Sequence, residues 1–371
     1  MKGNKTAKFT FIIVSTLIIT ACTNKNASHD NDDVQHITTH AESIISGLQP
    51  SEPVTINISV DKAKPWSKTY TPVKVITLDD STEDIVGIPA AIEVVGDTLY
   101  IVEPRHNPGF RAYLHDGSQI FSYSSVGSGP KDIVAPFSLC VGDSLLSTFD
   151  MATKSLVFVD KKGNYIKRYK LGEQAVAGIE DKSGGIWTDY SNQQYESTRL
   201  SWKATPDEEE IEILSVPEHL KRMTLISMQH FTRIYDGTIN YVPELEPRVY
   251  SLLNGQAWVK YELDYDGLWP NEEEFKREFS GPDWASKLRS FPIDKTRVVE
   301  NARWMVISFE YNDGIGNRDK YIHVYDKNAS KGVTYIDDSS IYFSPQAISE
   351  NFLYIPTKED TIEVIDLSTK E

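Results

Sequence analysis

Polar residues recur in this chain at one kind of position, directly after the second strand of a predicted strand pair. Residues 91–103, AIEVVGDTLYIVE, show the pattern: two apolar stretches around a Gly-Asp turn, followed by a carboxylate. The strand-end residues are Glu103, Asp150, Asp189, Tyr190, Glu244 and Glu310, and the loops that follow contain Arg105, His106, Glu246 and Arg248. Carboxylates, guanidinium groups, an imidazole and a phenol can together bind a polar ligand such as a sugar or a cation. We therefore predict a ligand-binding site where the fold brings these strand ends together.

Other interpretations of these residues stay open. Strand ends meet solvent, so polar residues are common there without any site. Two carboxylates, such as those of Glu103 and Asp150, could act on one bond in a glycan hydrolase or lyase. The same pair could begin a calcium site of the lactonase type, but calcium takes about six to eight oxygen ligands and no matching Asn set follows the other strands. We predict no cofactor, with calcium as the alternative.

Motifs for other chemistries are absent from the sequence. It has no G-x-S-x-G elbow, no H-E-x-x-H, no P-loop and no dinucleotide fingerprint. Cys140 lies in the apolar run PFSLCV, which predicts a buried and unreactive thiol. The function predicted first is binding, and an enzyme is the alternative.

Tryptophans add a second kind of candidate. Trp269 and Trp284 flank a polar segment with helical character, where an indole could stack on a sugar ring. Trp187 and Trp304 lie inside predicted strands, where an indole typically packs between sheets. We therefore include Trp269 and Trp284 among the candidate ligand-binding residues, with packing as the other possibility for both.

The first residues predict export. Lys2, Lys5 and Lys8 precede the uncharged run of residues 9–21, and Cys22 follows directly. This order is typical of a signal peptide, because the run is shorter than the roughly 20 residues of a membrane span. The end of the run, Ile-Thr-Ala-Cys, resembles the lipobox of bacterial lipoproteins. The resemblance implies that Cys22 is acylated and begins the mature chain. Thr23, in place of Asp, favours the outer membrane, with the protein facing either the periplasm or the surface.

Composition and charge define the remaining segments and partners. Residues 22–51 are polar and poor in aromatics, which predicts a flexible tether ahead of a domain at residues 52–371. The chain has a net charge of −16, and loss of the signal-peptide lysines makes the mature protein more negative still. Such a surface repels nucleic acid. The predicted partners are the membrane, through the lipid, and an unknown protein or glycan ligand.

The strand pairs repeat along the chain. The six copies are residues 91–103, 137–150, 178–190, 228–244, 298–311 and 347–359. Further hairpins follow them, with bends at Asp116-Gly117, Lys162-Gly163 and Asn254-Gly255 that suit tight two-residue turns. Two hairpins per copy make a four-stranded antiparallel sheet. The pattern predicts an all-β, six-bladed β-propeller.

The sixth copy lacks a fourth strand after residues 362–366. The segment VKVITL at residues 73–78 precedes the first copy and is similar to the fourth strands of other copies, such as WVKYEL. Pairing of this segment with the last copy would close the ring and leave no open blade. We predict closure by this N-terminal strand.

The repeats and their links resemble a known group. Residues 70–371 are similar to six-bladed propeller lipoproteins of the Bacteroidetes, relatives of NHL-type propellers. Gly127-Ser128-Gly129-Pro130 resembles their usual Gly-Pro link between blades, although Lys131-Asp132 stands where Gly-Glu is frequent. The resemblance implies the fold and says little about chemistry, since most members have no assigned activity.

One insertion departs from the β pattern, near residues 271–289. NEEEFKREF predicts a helix capped by Asn271 with acids in its first turn, and DWASKL at residues 283–288 predicts a second helix. The insertion follows a fourth strand, so it leaves from the same end of the ring as the strand-end residues. We expect these helices to overhang the mouth of the channel.

Overall fold

The computed structural model describes residues 52–79, 87, 89–127, 129–191, 197–221, 230–234, 236–279, 294–312, 318–338, 345–358 and 360–369. Cys22, the predicted signal peptide and the predicted tether lie outside these residues. Trp284 and the second predicted helix also lie outside them.

Three short strands open the described chain: β1 (Val54–Asn57), β2 (Lys64–Pro65) and β3 (Lys74–Thr77). Blade 1 then contains β4 (Ala91–Val95), β5 (Thr98–Glu103), β6 (Gly109–Leu114) and β7 (Gln119–Ser124). Blade 2 contains β8 (Cys140–Val141), β9 (Leu145–Asp150), β10 (Ser155–Asp160) and β11 (Tyr165–Lys170). Blade 3 contains β12 (Ala177–Glu180), β13 (Ile186–Asp189), β14 (Thr198–Lys203) and β15 (Ile211–Ser215).

Blade 4 contains β16 (Phe231–Arg233), β17 (Ile239–Tyr241), β18 (Arg248–Leu253) and β19 (Gln256–Asp264). Blade 5 contains β20 (Asp294–Glu300), β21 (Trp304–Asn312), β22 (Arg318–Asp326) and β23 (Lys331–Ile336). Blade 6 contains β24 (Ala347–Ser349), β25 (Phe352–Lys358) and β26 (Thr361–Asp366). A 3₁₀ helix, Glu218–Leu220, and helix α1 (Glu272–Phe279) lie between blades of this series.

The fourth strand of blade 6 is β3, which pairs antiparallel to β26 with Ile76 opposite Ile362. The predicted N-terminal closure is therefore confirmed. The two strands before β3 were not predicted. β1 adds parallel to β19 at the outer edge of blade 4, and β2 adds parallel to β23 at the outer edge of blade 5. The N-terminal segment thus follows the outside of three successive blades.

The tight turns have the backbone that their residues favour. Asn254 and Gly255 have φ values of 47° and 75°, so both occupy the left-handed region that a two-residue hairpin turn of this type requires. The turn joins β18 and β19 directly, which fixes their register with Leu253 opposite Gln256. The fourth strand of blade 4 is in this way positioned by its own turn.

The core consists of apolar clusters at each interface between neighbouring blades. Trp187 has no exposed surface and joins side chains of blades 3 and 4, and Trp304 is 5% exposed between blades 5 and 6. The predicted packing role of both tryptophans is confirmed. Burial of each large apolar side chain contributes about 1.5–3 kcal/mol. Cys140 is also buried, and burial raises the pKa of its thiol to about 12, so the thiol stays protonated as predicted.

Two ends of the ring matter for function. We call the end that carries the turns between first and second strands, such as Gly96 and Asp143, the turn face. The opposite end, which carries the loops between second and third strands and the links between blades, is the loop face. The first strand of each blade is the innermost and lines the central channel.

Candidate functional site

Glu103 orders the loop that follows it. The residue has no exposed surface, and its carboxylate accepts backbone N–H bonds from Arg105, His106 and Asn107 at 2.8, 3.1 and 2.8 Å. The Nδ1 atom of His106 lies 4.0 Å from Glu103 Oε1, while Arg105 and His106 are both exposed. Glu103 therefore satisfies loop donors and does not present its carboxylate to solvent, unlike the expectation from its strand-end position.

Asp150 has the same role in blade 2. It is fully buried and accepts N–H bonds from Ala135 at 3.0 Å and Ala152 at 3.2 Å, and a hydroxyl bond from Thr153 at 2.9 Å. Glu310 is also buried, at 7% exposure. A chain leaving a sheet has unpaired N–H groups, and a strand-end carboxylate is the nearest acceptor. Glu103 and Asp150 are therefore engaged by nearby backbone groups and do not present their carboxylates at a common opening. No metal-binding group of three acidic, His or Cys side chains occurs among the described residues.

Asp189 accepts the N–H of Ser191 from its own loop at 2.8 Å, but it differs in having further partners on the next blade. It accepts the hydroxyl of Tyr241 at 3.0 Å and is hydrogen bonded to Nδ1 of His230. The Nε2 atom of His230 lies 3.7 Å from Glu244 Oε1. Burial by itself lowers the pKa of His230, but Asp189 and Glu244 outweigh burial and raise it to about 10. A buried imidazolium thus sits between two carboxylates where blades 3 and 4 meet.

A second ionic contact continues from this cluster toward the surface. The buried guanidinium of Arg199, on β14, pairs with Glu246 and donates to the carbonyl oxygen of Glu244. The other carboxylate oxygen of Glu246 accepts the hydroxyl of Tyr250 at 3.0 Å. Burial, and then the charge of Glu246, raise the pKa of Tyr250 to about 12. These contacts fix blade 3 against blade 4 on the loop face.

The blade 3–4 pocket, with a volume of about 390 Å³, lies next to these contacts. Its lining includes Pro217, His219, Glu246, Arg248, Tyr250, Trp269 and Phe275. These residues come from the outer parts of blades 3 and 4 and from the segment after β19. The pocket is therefore peripheral and does not belong to the central channel.

Aromatic rings form one side of this pocket. The half-buried indole of Trp269 stacks on Tyr265 with ring centroids 6.1 Å apart and an interplanar angle of 28°. Phe275 meets the imidazole of His219 edge-on, with centroids 5.4 Å apart. Each ring is held by a second ring, so the aromatic surface is formed before any ligand arrives.

Helix α1 supplies this surface because its start is capped as predicted. Asn271 Oδ1 accepts the N–H groups of Glu273 and Glu274 at 3.1 and 3.0 Å, and Glu274 accepts the N–H of Asn271 at 3.1 Å, which is a reciprocal capping box. Glu272 lies 3.7 Å from His219 of the 3₁₀ helix. The helix lines the peripheral pocket, whereas we expected it to overhang the channel mouth. The sequence places the helix on the loop face but does not give its distance from the axis.

Polar groups complete the pocket. Arg248 is about half exposed, with its side chain 46% accessible, and its Nε lies 3.7 Å from Glu262. Burial lowers the pKa of His219, so its imidazole is neutral near pH 7. The pocket therefore offers a guanidinium, an imidazole and a phenol beside an aromatic wall.

The predicted site residues thus separate into groups. Asp189 and Glu244 belong to the network behind the blade 3–4 pocket, and Arg248 and Trp269 line the pocket. Tyr190 donates its hydroxyl to Glu210 at 2.7 Å on blade 3. His219, His230 and Arg199 were missed, since none follows a second strand. Their one sequence signal is charge within an otherwise apolar or strand-like stretch, which does not identify a partner on another blade.

A second cavity, of about 450 Å³, occupies the central channel. Its rim includes the exposed residues Gly96, Asp143, Lys182 and Glu350, all at turns between first and second strands. The cavity therefore opens at the turn face, opposite the face on which we expected the binding mouth. No helix of the described residues has the length and apolar composition needed to cross a membrane.

Solved structures show the same fold. An exported protein from Bacteroides fragilis matches with a TM-score of 0.65 and 13% sequence identity, over 82% of this chain and 88% of that chain. A member of the DUF4221 family from Bacteroides vulgatus matches with a TM-score of 0.54 and 9% identity, over 80% of this chain and 97% of that chain. At these identities the likeness concerns the fold alone. No curated protein matches the chain.

The sequence model of one family, DUF5128, described as a 6-bladed beta-propeller, matches residues 49–343. This range contains the blade 3–4 pocket and most of the ring. The six-bladed, all-β architecture and the resemblance to propellers of the Bacteroidetes are both confirmed. The chain belongs to the DUF5128 family of six-bladed β-propellers.

Proposed function

We propose that this propeller is a binding module of the cell envelope that holds a glycan in the blade 3–4 pocket. The observation that carries the proposal is the fixed indole of Trp269 beside the hydrogen-bonding groups of Arg248 and Tyr250 in one 390 Å³ pocket. Pockets of about 300–1,000 Å³ with an apolar wall and a few placed polar groups are typical of small-ligand sites.

The chemistry of a sugar ring fits these walls. A pyranose has C–H faces that pack on an aromatic ring and hydroxyl groups that need donors and acceptors at the edges. Trp269 and Phe275 supply the apolar surface, and Arg248, His219 and Tyr250 supply polar groups around it.

The charge state of the pocket favours binding over hydrolysis. A glycosidase needs one carboxyl group that stays protonated to act as the acid. Glu246 is ion-paired with Arg199, and Glu272 lies 2.8 Å from Lys276, which lowers its pKa. Both pocket carboxylates therefore face a cation, and the lowered pKa of Glu272 keeps that carboxylate ionised.

The predicted lipid anchor gives the envelope location. The lipobox-like sequence at Cys22 supports attachment to a membrane, and the exported relative from Bacteroides fragilis is in keeping with export. A propeller on a tether of about 30 residues can sample glycans near the membrane surface without crossing it. We propose the outer membrane as its site.

Glycan-array binding followed by calorimetry tests the proposal. The protein used is residues 22–371 with Cys22→Ser, compared with Trp269→Ala and with the control Tyr165→Ala on the outer strand of blade 2. Loss of an aromatic platform is expected to weaken binding by about 10-fold or more in the Trp269 variant. The control is expected to bind like the parent. Array binding that survives Trp269→Ala, or no glycan binding in the parent, would remove the pocket as a glycan site.

A further inference from the structure

The channel cavity contains a set of charged side chains that the blade 3–4 pocket does not use. It is lined by the inner strands, with Glu93 from β4, Arg233 from β16 and Arg297 from β20. Gln346, just before β24, lines it from blade 6. Charged groups from three blades and an amide from a fourth thus line one cavity of about 450 Å³.

Glu93 is a carboxylate of the cavity wall that has few hydrogen-bond partners. Its Oε2 accepts the N–H of Val141 at 3.0 Å, and no other hydrogen bond to its carboxylate joins it to the described residues. Burial raises the pKa of Glu93 to about 7, despite the opposing charges of Arg233 and Arg297. Glu93 therefore lacks the donors that a buried carboxylate needs.

Glu300 shows what full pairing looks like in the same channel. Its Oε1 atom lies 3.0 Å from the Nζ atom of Lys260 and 2.7 Å from that of Lys327. Its carboxylate also accepts hydrogen bonds from Tyr261 and Asn240 at 2.8 Å each. Burial opposes its ionisation, but Lys260 and Lys327 overcome burial and lower its pKa. Glu300 thus has its hydrogen-bonding and ionic partners within the protein, whereas Glu93 can still accept a hydrogen bond from a ligand.

Two other side chains of the cavity each have a polar atom without a hydrogen-bond partner among the described residues. Arg233 donates to the carbonyl oxygens of Val141 at 3.2 Å and Glu180 at 2.8 Å, and its Nε atom is buried with no hydrogen-bond partner in the described part of the chain. Gln346 is 5% exposed, and its Oε1 atom likewise has no partner among the described residues. Arg297 also lines the cavity, and burial lowers the pKa of its guanidinium to about 10.

We propose that the channel cavity binds a free α-amino acid as its zwitterion. The ammonium group would donate to Glu93 and to the amide oxygen of Gln346, and the carboxylate would accept from Arg233 and Arg297. A ligand with one charge of each sign would pair with both the acceptors and the donors of the cavity without changing the net charge of the channel. The size of the cavity accommodates a small zwitterion and its side chain. The site is separate from the blade 3–4 pocket and does not depend on its occupant.

The test uses the ligand's two charges separately. Residues 22–371 with Cys22→Ser are titrated by calorimetry with free L-amino acids, with the N-acetyl form of the best binder and with its amide. The N-acetyl form has no ammonium and the amide has no carboxylate, so each is expected to bind about 10- to 100-fold more weakly than the free amino acid. Equal binding of all three forms, or no binding of any free amino acid, would overturn the proposal.

Glu93→Gln provides the second measurement. This isosteric change removes the charge that meets the ammonium, so affinity for the free amino acid is expected to fall about 10-fold or more while the N-acetyl form is unaffected. Glu173→Gln, an exposed change of the same charge, is the matched control and should bind like the parent. Unchanged affinity of a folded Glu93→Gln protein contradicts the role of Glu93. Glycan binding should survive this substitution, so the two sites succeed or fail separately.

Discussion

The clearest consequence of the channel geometry concerns the stability of the empty protein as the pH changes. Burial raises the pKa of Glu93 from 4.5 to about 7. Because the folded state holds this proton more tightly than the unfolded state, the protonated carboxyl favours folding. This contribution is lost as the pH rises from 4.5 to 7. At about 1.4 kcal/mol per pH unit, the loss reaches at most about 3 kcal/mol, and hydration of the cavity reduces it.

Glu93→Gln removes this titration and keeps the shape of the side chain. The variant is expected to match the parent near pH 4.5 and to exceed it by up to about 3 kcal/mol at pH 8. Arg233 and Arg297 both act on the charge of Glu93, and Arg297, whose pKa is about 10, stays charged over this range. Glu180, whose pKa is raised by burial, and Cys140 are also nearby but are present in both proteins. Their titration therefore cancels in the comparison.

Thermal unfolding in the absence of amino acids, measured between pH 4.5 and 8, tests this expectation. A difference of 3 kcal/mol corresponds to a shift of several degrees in Tm for a domain of this size. Glu173→Gln is the control and should keep a constant offset from the parent. Parallel pH profiles of the parent and Glu93→Gln would show that the Glu93 carboxyl is well solvated or well paired, and would refute the argument.

Three further outcomes are expected. Cys22→Ser should move the protein from the membrane to the soluble fraction, and retention in washed membranes would contradict lipid attachment. His230→Asn removes a cation held beside Asp189 and should lower the free energy of unfolding by about 3–5 kcal/mol below pH 6.5. The deficit should shrink as the pH approaches 10, because the parent protein then loses the same charge. A deficit that stays constant at all pH values in denaturant unfolding would count against this. Asn271→Ala should lower the protection of backbone N–H groups from hydrogen exchange at the start of α1 by about 1 kcal/mol, because it removes the cap. Asn271→Asp should keep the protection of the parent. Equal protection in both variants would show that the cap is dispensable.

The ring was predictable because its signals are local. Alternating apolar residues, turn residues such as Asn254-Gly255 and the similarity of residues 73–78 to other fourth strands all lie within short segments. For the edge strands, β1 lies in an alternating segment, VTINISV at residues 54–60, but nothing in that segment identifies its partner, and β2 has no alternation signal. Lys64–Pro65 is a two-residue strand, and its pairing with β23 depends on the path of the chain around the ring. Alternation cannot reveal a strand that adds to a finished blade.

The candidate sites were less predictable because their contacts join distant parts of the chain. Asp189 and Glu103 both follow a second strand, yet one meets His230 of the next blade and the other is satisfied by its own loop. Whether a strand-end carboxylate pairs with its own loop or with the next blade depends on the distances between blades, which a local sequence pattern does not give. Glu93 lies within an alternating strand, so its side chain gave no sign of its position in the channel.

Closure of the ring by β3 also sets an order of events during synthesis of the chain. A chain that emerges from its N-terminus presents β3 early, but its partner β26 follows only after five complete blades. Until then both the edge of β3 and the apolar faces of blades 1 and 6 lack their final neighbours. A chain that lacks β26 therefore leaves the ring open along one seam, and unpaired strand edges and exposed apolar faces of this kind favour aggregation.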